Sequence, residues 1–568
     1  MKYKKILLTI CIIACILFSI SSTAAADVND VAIASESQDD VLEQVTYNEK
    51  ISSEKIEANS TEVNKEVISA KQGTFTDLNK IINDAEPNSV ITLEKDYSYN
   101  TEFSSKGISI NKPLTIDGKN HIIDGKSKSR IFKITSDNVI LKNIRFVGGI
   151  YDDGKGSVIY NSGKNLKISS CNFSKCSVGD NNGVIYNNGD SFNLVSCDFS
   201  GCSAETDWSG VVYNAGKNMK MSYCKFSKCS SDGSEAFTSG VVCNRGNYLE
   251  ISHCTFSNCK YPIYNKGNNL KISQCKFSNS MNIINFGKNC KIVSCSFSKC
   301  GKKSPEKNPE FFYGGAIYNG GNNLNIVYCK FSNCYLVGDD PQGGAIYSSN
   351  GNLKISHCKF SKCFVKCVDS IGSSAFGGAI YIAGGTSNIV SCNFSNCYAT
   401  YKSYKHNGAQ GGAICFDYGN LLKVSHCKFS NCFAKGGSVA GTYGGAINSG
   451  DSLKISSCTF SKCHATIVGG AVSAGGNRYK VSLCCFLNCH AKEGTLEYNH
   501  VLKNSIFIKS KAVSKLEVTK KKGSNYVIKL YKSNGKPAKN IKFVLKITNK
   551  KQKTLKTNSK GIAKFKAK

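Results

Sequence analysis

The feature that most constrains this chain is a repeat running from residue 156 to residue 489. One copy reads Gly314-Gly315-Ala316-Ile317-Tyr318-Asn319, then Asn323-Leu324-Asn325-Ile326, then Cys329-Lys330-Phe331-Ser332-Asn333-Cys334. Twelve copies follow one another, with first cysteines at 171, 197, 224, 254, 275, 295, 329, 358, 392, 427, 458 and 484 and a mean period of about 28 residues. The shortest intervals are 20 and 21 residues and the longest is 35, the surplus being polar or Gly-rich and falling mostly after the second cysteine. A fixed unit with insertions at one corner is what a stacked repeat tolerates, because each unit packs only on its neighbours. No copy carries a helical period. Three short apolar runs per unit imply three strands per turn of chain, hence a parallel β-helix with like strands stacked.

The columns agree with this. The Ile317 position is β-branched in all twelve copies, and the Phe331 position is Phe in all twelve. Both read as inward stacks, and the Cys329 column shares the parity of Phe331, so it points inward too. Ahead of the repeat, Phe75, Leu78, Ile81 and Ile82 have helical spacing, with Thr74 or Thr76 as cap. Strand-like runs at 90–93, 108–110, 114–116, 131–134 and 139–146 predict about three irregular coils over 75–150. Asp117-Gly118 and Asp124-Gly125 between them read as turns. At about 4.8 Å per rung, the whole stack predicts a rod of roughly 70 Å.

The flanks differ in character. Lys2, Lys4 and Lys5, an apolar run from Ile6 to Ile20 and Ala24-Ala25-Ala26 read as a signal peptide over 1–26, which predicts export and an extracellular, surface or wall location. Residues 27–70 hold 11 Asp+Glu against three Lys and read as an acidic disordered leader. The β-helix is expected over 71–510. The remaining segment, 511–568, carries 19 Lys and a single acid, Glu517, with alternating runs Tyr526–Leu530, Ile541–Ile547 and Ile562–Phe565. The whole chain has a formal charge of +33.

Gly-Gly-Ala-Ile and Cys-x-Phe-Ser-x-Cys repeats behind a signal peptide resemble the adhesin-like surface proteins of methanogenic archaea. The Gly-Gly-Ala-Ile signal is also similar to that of chlamydial polymorphic outer membrane proteins. Both groups belong with the pectate-lyase-like right-handed β-helices, and the resemblance covers about 75–510. The segment 511–568, with Asn534-Gly535-Lys536-Pro537, resembles a bacterial Ig-like domain of the Big type. The resemblance implies an all-β chain, a right-handed parallel β-helix followed by a small Ig-like domain. It also implies adhesion to cells or glycans.

Four groups of residues are candidates for chemistry. The cysteine pairs, such as Cys171 and Cys176, Cys329 and Cys334, or Cys458 and Cys463, admit rung-to-rung disulfides, closure within a pair, or ladders of buried free thiols. Their C-x₄-C spacing is not that of a zinc site, and no cofactor is expected. His253, His357 and His426 share one column two or more rungs apart, too far to share a metal. Cys463-His464 and Cys489-His490 stand on adjacent rungs, with ligand types that suit zinc but with turn use the better reading. Between 156 and 500 there are 17 Asp+Glu, scattered among loops, with Asp339-Asp340 the one tight pair. On that scatter the chain is expected not to be an enzyme.

The ligand face is expected on two outward columns. One carries Lys167, Lys220, Lys271, Lys354, Lys423 and Lys454, a basic face suited to anionic polymers or simply to solubility. The other carries Tyr160, Tyr186, Tyr213, Tyr264, Tyr318, Tyr347 and Tyr381, which either stack sugars or pack against the insertions. Loops inserted near 301–313, 335–343, 364–377, 398–410 and 433–443 are a third possible surface. The expected partner is a cell-surface or cell-wall polysaccharide, or a host glycan. No specific nucleic acid and no small-molecule substrate are expected. A polysaccharide-active enzyme on the same fold and a purely structural wall component are the alternatives.

Overall fold

The computed structural model describes residues 72–566 except 152–154, 179–182, 205–208, 232–237, 304–312, 351, 369–372, 402–407, 437–440, 476–478, 493–500, 504, 509–512, 514, 521–524, 533 and 547–551. The signal peptide and acidic leader fall outside the described residues, as do parts of several insertions. The chain forms two compact units: Gln72–Lys511 with Lys542–Leu555, and Ala512–Ile541 with Lys556–Lys568.

The first unit opens with a helix, Phe75–Asp84, that buries Phe75, Leu78 and Ile82. Thr74 and Asp77 cap it reciprocally: the Asp77 N–H donates to Thr74 Oγ1 at 3.2 Å, and the Thr74 N–H donates to Asp77 Oδ2 at 2.8 Å. Then the chain coils. Like strands of successive coils pair in parallel, as Ile317–Asn319 does with Ile346–Ser348, Leu324–Val327 with Leu353–Ser356, and Lys330–Ser332 with Lys359–Ser361. These three rows are called the first, second and third sheets below. The second sheet has 16 strands, three ahead of the repeat, twelve in it and one after, at Val501–Lys503.

A fourth, short strand occurs where the sequence reading placed loops. Gly301–Lys303, Tyr335–Gly338, Phe364–Cys367, Tyr398–Tyr401, Phe433–Lys435 and His464–Ala465 form a six-stranded sheet. The cause is visible in the alternation of Tyr335-Leu336-Val337-Gly338, whose second and fourth residues are buried. The insertions therefore begin as structure and only then depart from it.

Corners are made by single residues in the left-handed region. Between the second and third strands stand Tyr223, His253, Tyr328 and His357, at φ of 57°, 55°, 57° and 56°. After the third strand stand residues such as Lys362 and Asn333, at 53° and 52°. Each of these corners is followed at once by a cysteine. Gly314 turns the entry to the first strand, at φ +60°, where a Cβ would lie 2.0 Å from the Ile317 carbonyl oxygen.

Three ladders hold the coils together. Fourteen Phe rings, from Phe146 to Phe507, stack at centroid spacings of 4.5–5.0 Å. Buried carboxamides form a second: Asn244 Nδ2 donates to Asn265 Oδ1 at 2.7 Å, and Asn265 Nδ2 to Asn285 Oδ1 at 2.8 Å. The run extends from Asn161 to Asn319, each amide also closing a turn, as Asn265 does on the Gly267 carbonyl.

The third ladder is made of thiols. None of the 28 described cysteines forms a disulfide, and all but Cys485 are buried. At a corner the backbone N–H of one coil has no carbonyl in register, and the sulfur of the next coil takes its place. The Cys329 N–H donates to Cys358 Sγ at 3.3 Å, and Cys358 Sγ donates to the Ser356 carbonyl at 3.2 Å. Cys259 meets Ser280 in the same way, with Oγ accepting at 3.1 Å.

The second unit contains an antiparallel sheet of Lys515–Lys520, Asn525–Tyr531 and Ile562–Lys566. The strand Lys542–Lys546, read from sequence as part of the tail module, pairs antiparallel with Ser505–Ile508 and belongs to the coiled unit.

Candidate glycan-binding face

The inward Phe and Ile columns force their neighbours outward, so the second and third sheets each expose a column of alternate residues. On the second sheet Lys167, Lys220, Lys271, Lys354, Lys423 and Lys454 are all exposed, as the sequence reading expected. The third sheet adds a column that reading missed: Lys225, Lys276, Lys330, Lys359 and Lys428, all exposed. Its signal was present, since each stands one residue before an inward Phe.

The left-handed corner lies between the two columns. At six of the twelve repeats that corner carries Ser or Gln, and at two places it carries aromatic pairs. Tyr223 is 56% exposed and stacks on His253 with centroids 4.7 Å apart. Tyr328 is 58% exposed and lies over His357 at 4.9 Å. The basic columns around them are not equally free. Lys225 reaches Asp198 at 3.9 Å and Lys271 holds Glu250 at 2.6 Å. Among the described residues Lys330, Lys354 and Lys359 make no ion pair.

The tyrosine column of the first sheet is placed differently from the sugar-stacking arrangement. Tyr186, Tyr213, Tyr264, Tyr347 and Tyr381 are buried, and Tyr160 and Tyr318 half-buried. They do leave the coil interior, as their parity requires. There they stack on one another, as Tyr186 on Tyr213 at 4.9 Å and Tyr318 on Tyr347 at 5.2 Å, beneath Tyr261, Tyr313 and Phe376. Rings stacked along the coil axis spend their faces on each other and leave none for a sugar. The alternative reading, packing against the insertions, describes what the structure does.

The fourth sheet carries a further stack that sequence reasoning missed. Tyr335, Phe364, Tyr398, Phe433, His464 and His490 follow one another at 4.8–5.6 Å. His464 and His490, weighed from sequence as zinc ligands, face each other ring to ring at 5.4 Å. Burial, and secondarily the neighbouring His490, pushes the His464 imidazole below its ordinary pKa. Among the described residues no group of three or more His, Cys, Asp or Glu is arranged to hold a metal ion.

Carboxylates do meet across coils, though not where the sequence suggested. Asp340 accepts the Ser374 N–H at 2.6 Å and so braces an insertion. Asp417 and Asp451, on adjacent coils, lie at the turn beyond the first sheet. The half-buried Asp417 carboxyl is pushed up by burial, with Cys415 Sγ donating to it at 3.4 Å and Asp451 adding like charge. Asp451 Oδ2 accepts the Gly419 N–H at 2.8 Å, and Tyr418 between them is 87% exposed.

A family described as "right handed beta helix region" matches residues 209–399. The fold is a right-handed parallel β-helix. No curated protein matches the chain. Among solved structures, the chain is similar to a mannuronic acid specific polysaccharide family 6 lyase from human gut microbiota, at 11% identity over 73% of this chain and 86% of that one, with a TM-score of 0.30. It is similar to tailspike protein 3 of bacteriophage CBA120, at 11% identity over 84% of this chain and 65% of that one, TM-score 0.28. A third is a capsular polysaccharide depolymerase tailspike of Acinetobacter baumannii bacteriophage Fri1, at 9% identity, 88% and 84% coverage and TM-score 0.18. These likenesses concern the fold alone. They do correct one expectation: with lyases among the matched structures, the reading of this chain as not an enzyme does not stand. Scattered carboxylates in sequence were a poor guide, because stacking brings residues some 30 positions apart side by side. Among the described residues no helix is long and apolar enough to cross a membrane.

Proposed function

We propose that this is an exported, adhesin-like surface protein that binds acidic polysaccharide of cells or cell walls along the outer face of its second and third sheets. One observation carries the reading: two exposed lysine columns flank a corner that itself bears exposed tyrosines, Tyr223 and Tyr328. A polymer laid along the coils meets a cation at most rungs, spaced about 4.8 Å apart. Export rests on the signal-peptide pattern over 1–26. A glycan array probed with residues 71–568, with soluble sugars as competitors, tests it. Saturable binding to acidic glycans, competed by the same sugars, is the expected result; uniform binding to every glycan, neutral ones included, would defeat the reading.

A second reading has its own observation. Asp417, held protonated to higher pH than an ordinary carboxyl, and Asp451 beside it form the kind of unequal pair that acid–base cleavage of a glycan needs. If the chain cleaves polysaccharide there, new reducing ends or unsaturated uronates accumulate with the wild type and not with Asp417→Asn.

A further inference from the structure

The basic face is long, but its uncompensated charge and its free aromatic surface coincide at one place, the corner of the seventh and eighth repeats. Resting on the polysaccharide-binding reading above, we infer that Tyr328, His357, Lys330, Lys354 and Lys359 form a subsite for an anionic sugar residue.

Tyr328 sits at φ 57°, so the chain turns beneath it and its ring stands clear, 58% exposed. His357 covers one side of that ring at 4.9 Å. The same column of the preceding coil holds Ser294, so among the described residues no ring covers the other side. A pyranose presents an apolar C–H face of matching size, and an aromatic face open to water is its usual complement.

The charges stand on either side. Lys330 and Lys359 are register partners one rung apart on the third sheet. Lys354 stands on the second sheet, across the corner, opposite Asn325. All three are exposed and, among the described residues, none pairs with a carboxylate. At the other aromatic corner the arrangement is weaker: beside Tyr223 and His253, Lys225 reaches Asp198 and the rung partner of Lys220 is Glu250. Lysine ammoniums are point charges without a planar fork. They suit a uronate carboxylate or a sugar sulfate alike, so the shared chemistry is a pyranose bearing a negative group.

The test uses the full chain and three soluble probes: an oligogalacturonate, its carboxyl-reduced neutral counterpart, and a sulfated neutral oligosaccharide. Tyr328→Asn removes the ring while keeping a residue that tolerates the left-handed corner, and Tyr248→Asn, at an exposed left-handed tyrosine ahead of the second strand and off the proposed face, is the matched control. Lys330→Gln with Lys359→Gln is a surface pair that leaves the corner untouched. The expected result is that both anionic probes bind more tightly than the neutral one. Tyr328→Asn and the lysine pair should each weaken them about tenfold, Tyr248→Asn less than about twofold. Anionic probes that bind, but equally well to all three variants, would overturn the subsite and leave the general reading standing. If neither anionic probe binds the wild type, the general reading itself fails. Binding of the neutral probe as tight as the anionic ones overturns the assigned charge recognition.

Discussion

Cys358 shows what a cysteine does in this repeat. Its sulfur accepts the Cys329 N–H and donates to the Ser356 carbonyl, so it closes a corner that backbone pairing leaves open. It also fills a buried site with a polarizable atom. Drawing two such sulfurs into a disulfide would withdraw them from these backbone groups, a physical reason for the ladder to remain thiols. Two outcomes follow at this scale. Cys358→Ala orphans a buried N–H and should destabilise by about 1–3 kcal/mol, whereas Cys358→Ser, which copies the natural Ser280, should cost less; denaturant melts of the pair compare them. Protein unfolded without reductant should take up alkylating label at every cysteine, counted by intact mass. Mass consistent with blocked pairs would contradict the thiol assignment.

At the scale of elements, the amide ladder makes a positional prediction. Asn265 receives from Asn244 and gives to Asn285 and Gly267, while Asn161 at the end of the run has, among the described residues, no donor to its Oδ1. Asn265→Ala should therefore open its coils to amide hydrogen exchange more than Asn161→Ala does, read as lost protection in the flanking strands. The inward columns were legible in the sequence: constant Phe and constant β-branched positions set which residues point inward, and parity placed the lysines outward. What parity could not give was what lies over an outward residue. Tyr186 and Tyr381 leave the coil as expected, yet neighbouring rings and inserted residues bury them. The corner aromatics Tyr223 and Tyr328 were hidden for another reason. Only the left-handed turn lifts them into solvent, and a column shared with Ser, Gln and His gives no periodic signal. Asp417 and Asp451 were missed because their neighbourhood exists only once the coils stack.

The first rungs of the coiled unit contain a pH-sensitive contact. Asn143 donates to Asp117 at 2.9 Å, and Lys142 pairs with it at 3.1 Å, which holds the buried carboxylate down to about 2. A carboxylate lowered from its unfolded value near 4 stabilises the fold above that value and loses the contribution as pH falls through about 2. Melting temperatures of wild type and Asp117→Asn should thus differ most near neutral pH and converge below about pH 2.

The formal charge of +33 makes adhesion to any polyanion the trivial outcome. The central claim is a face that reads acidic sugar. It is tested most directly by equilibrium binding of the chain to an acidic polysaccharide and to its carboxyl-reduced form across a salt series. The account predicts binding to the acidic form alone, weakening with salt yet persisting at about 0.15 M, where surface charges act over about 8 Å. Equal binding to both forms, or binding to the acidic form that vanishes by that ionic strength, would contradict it.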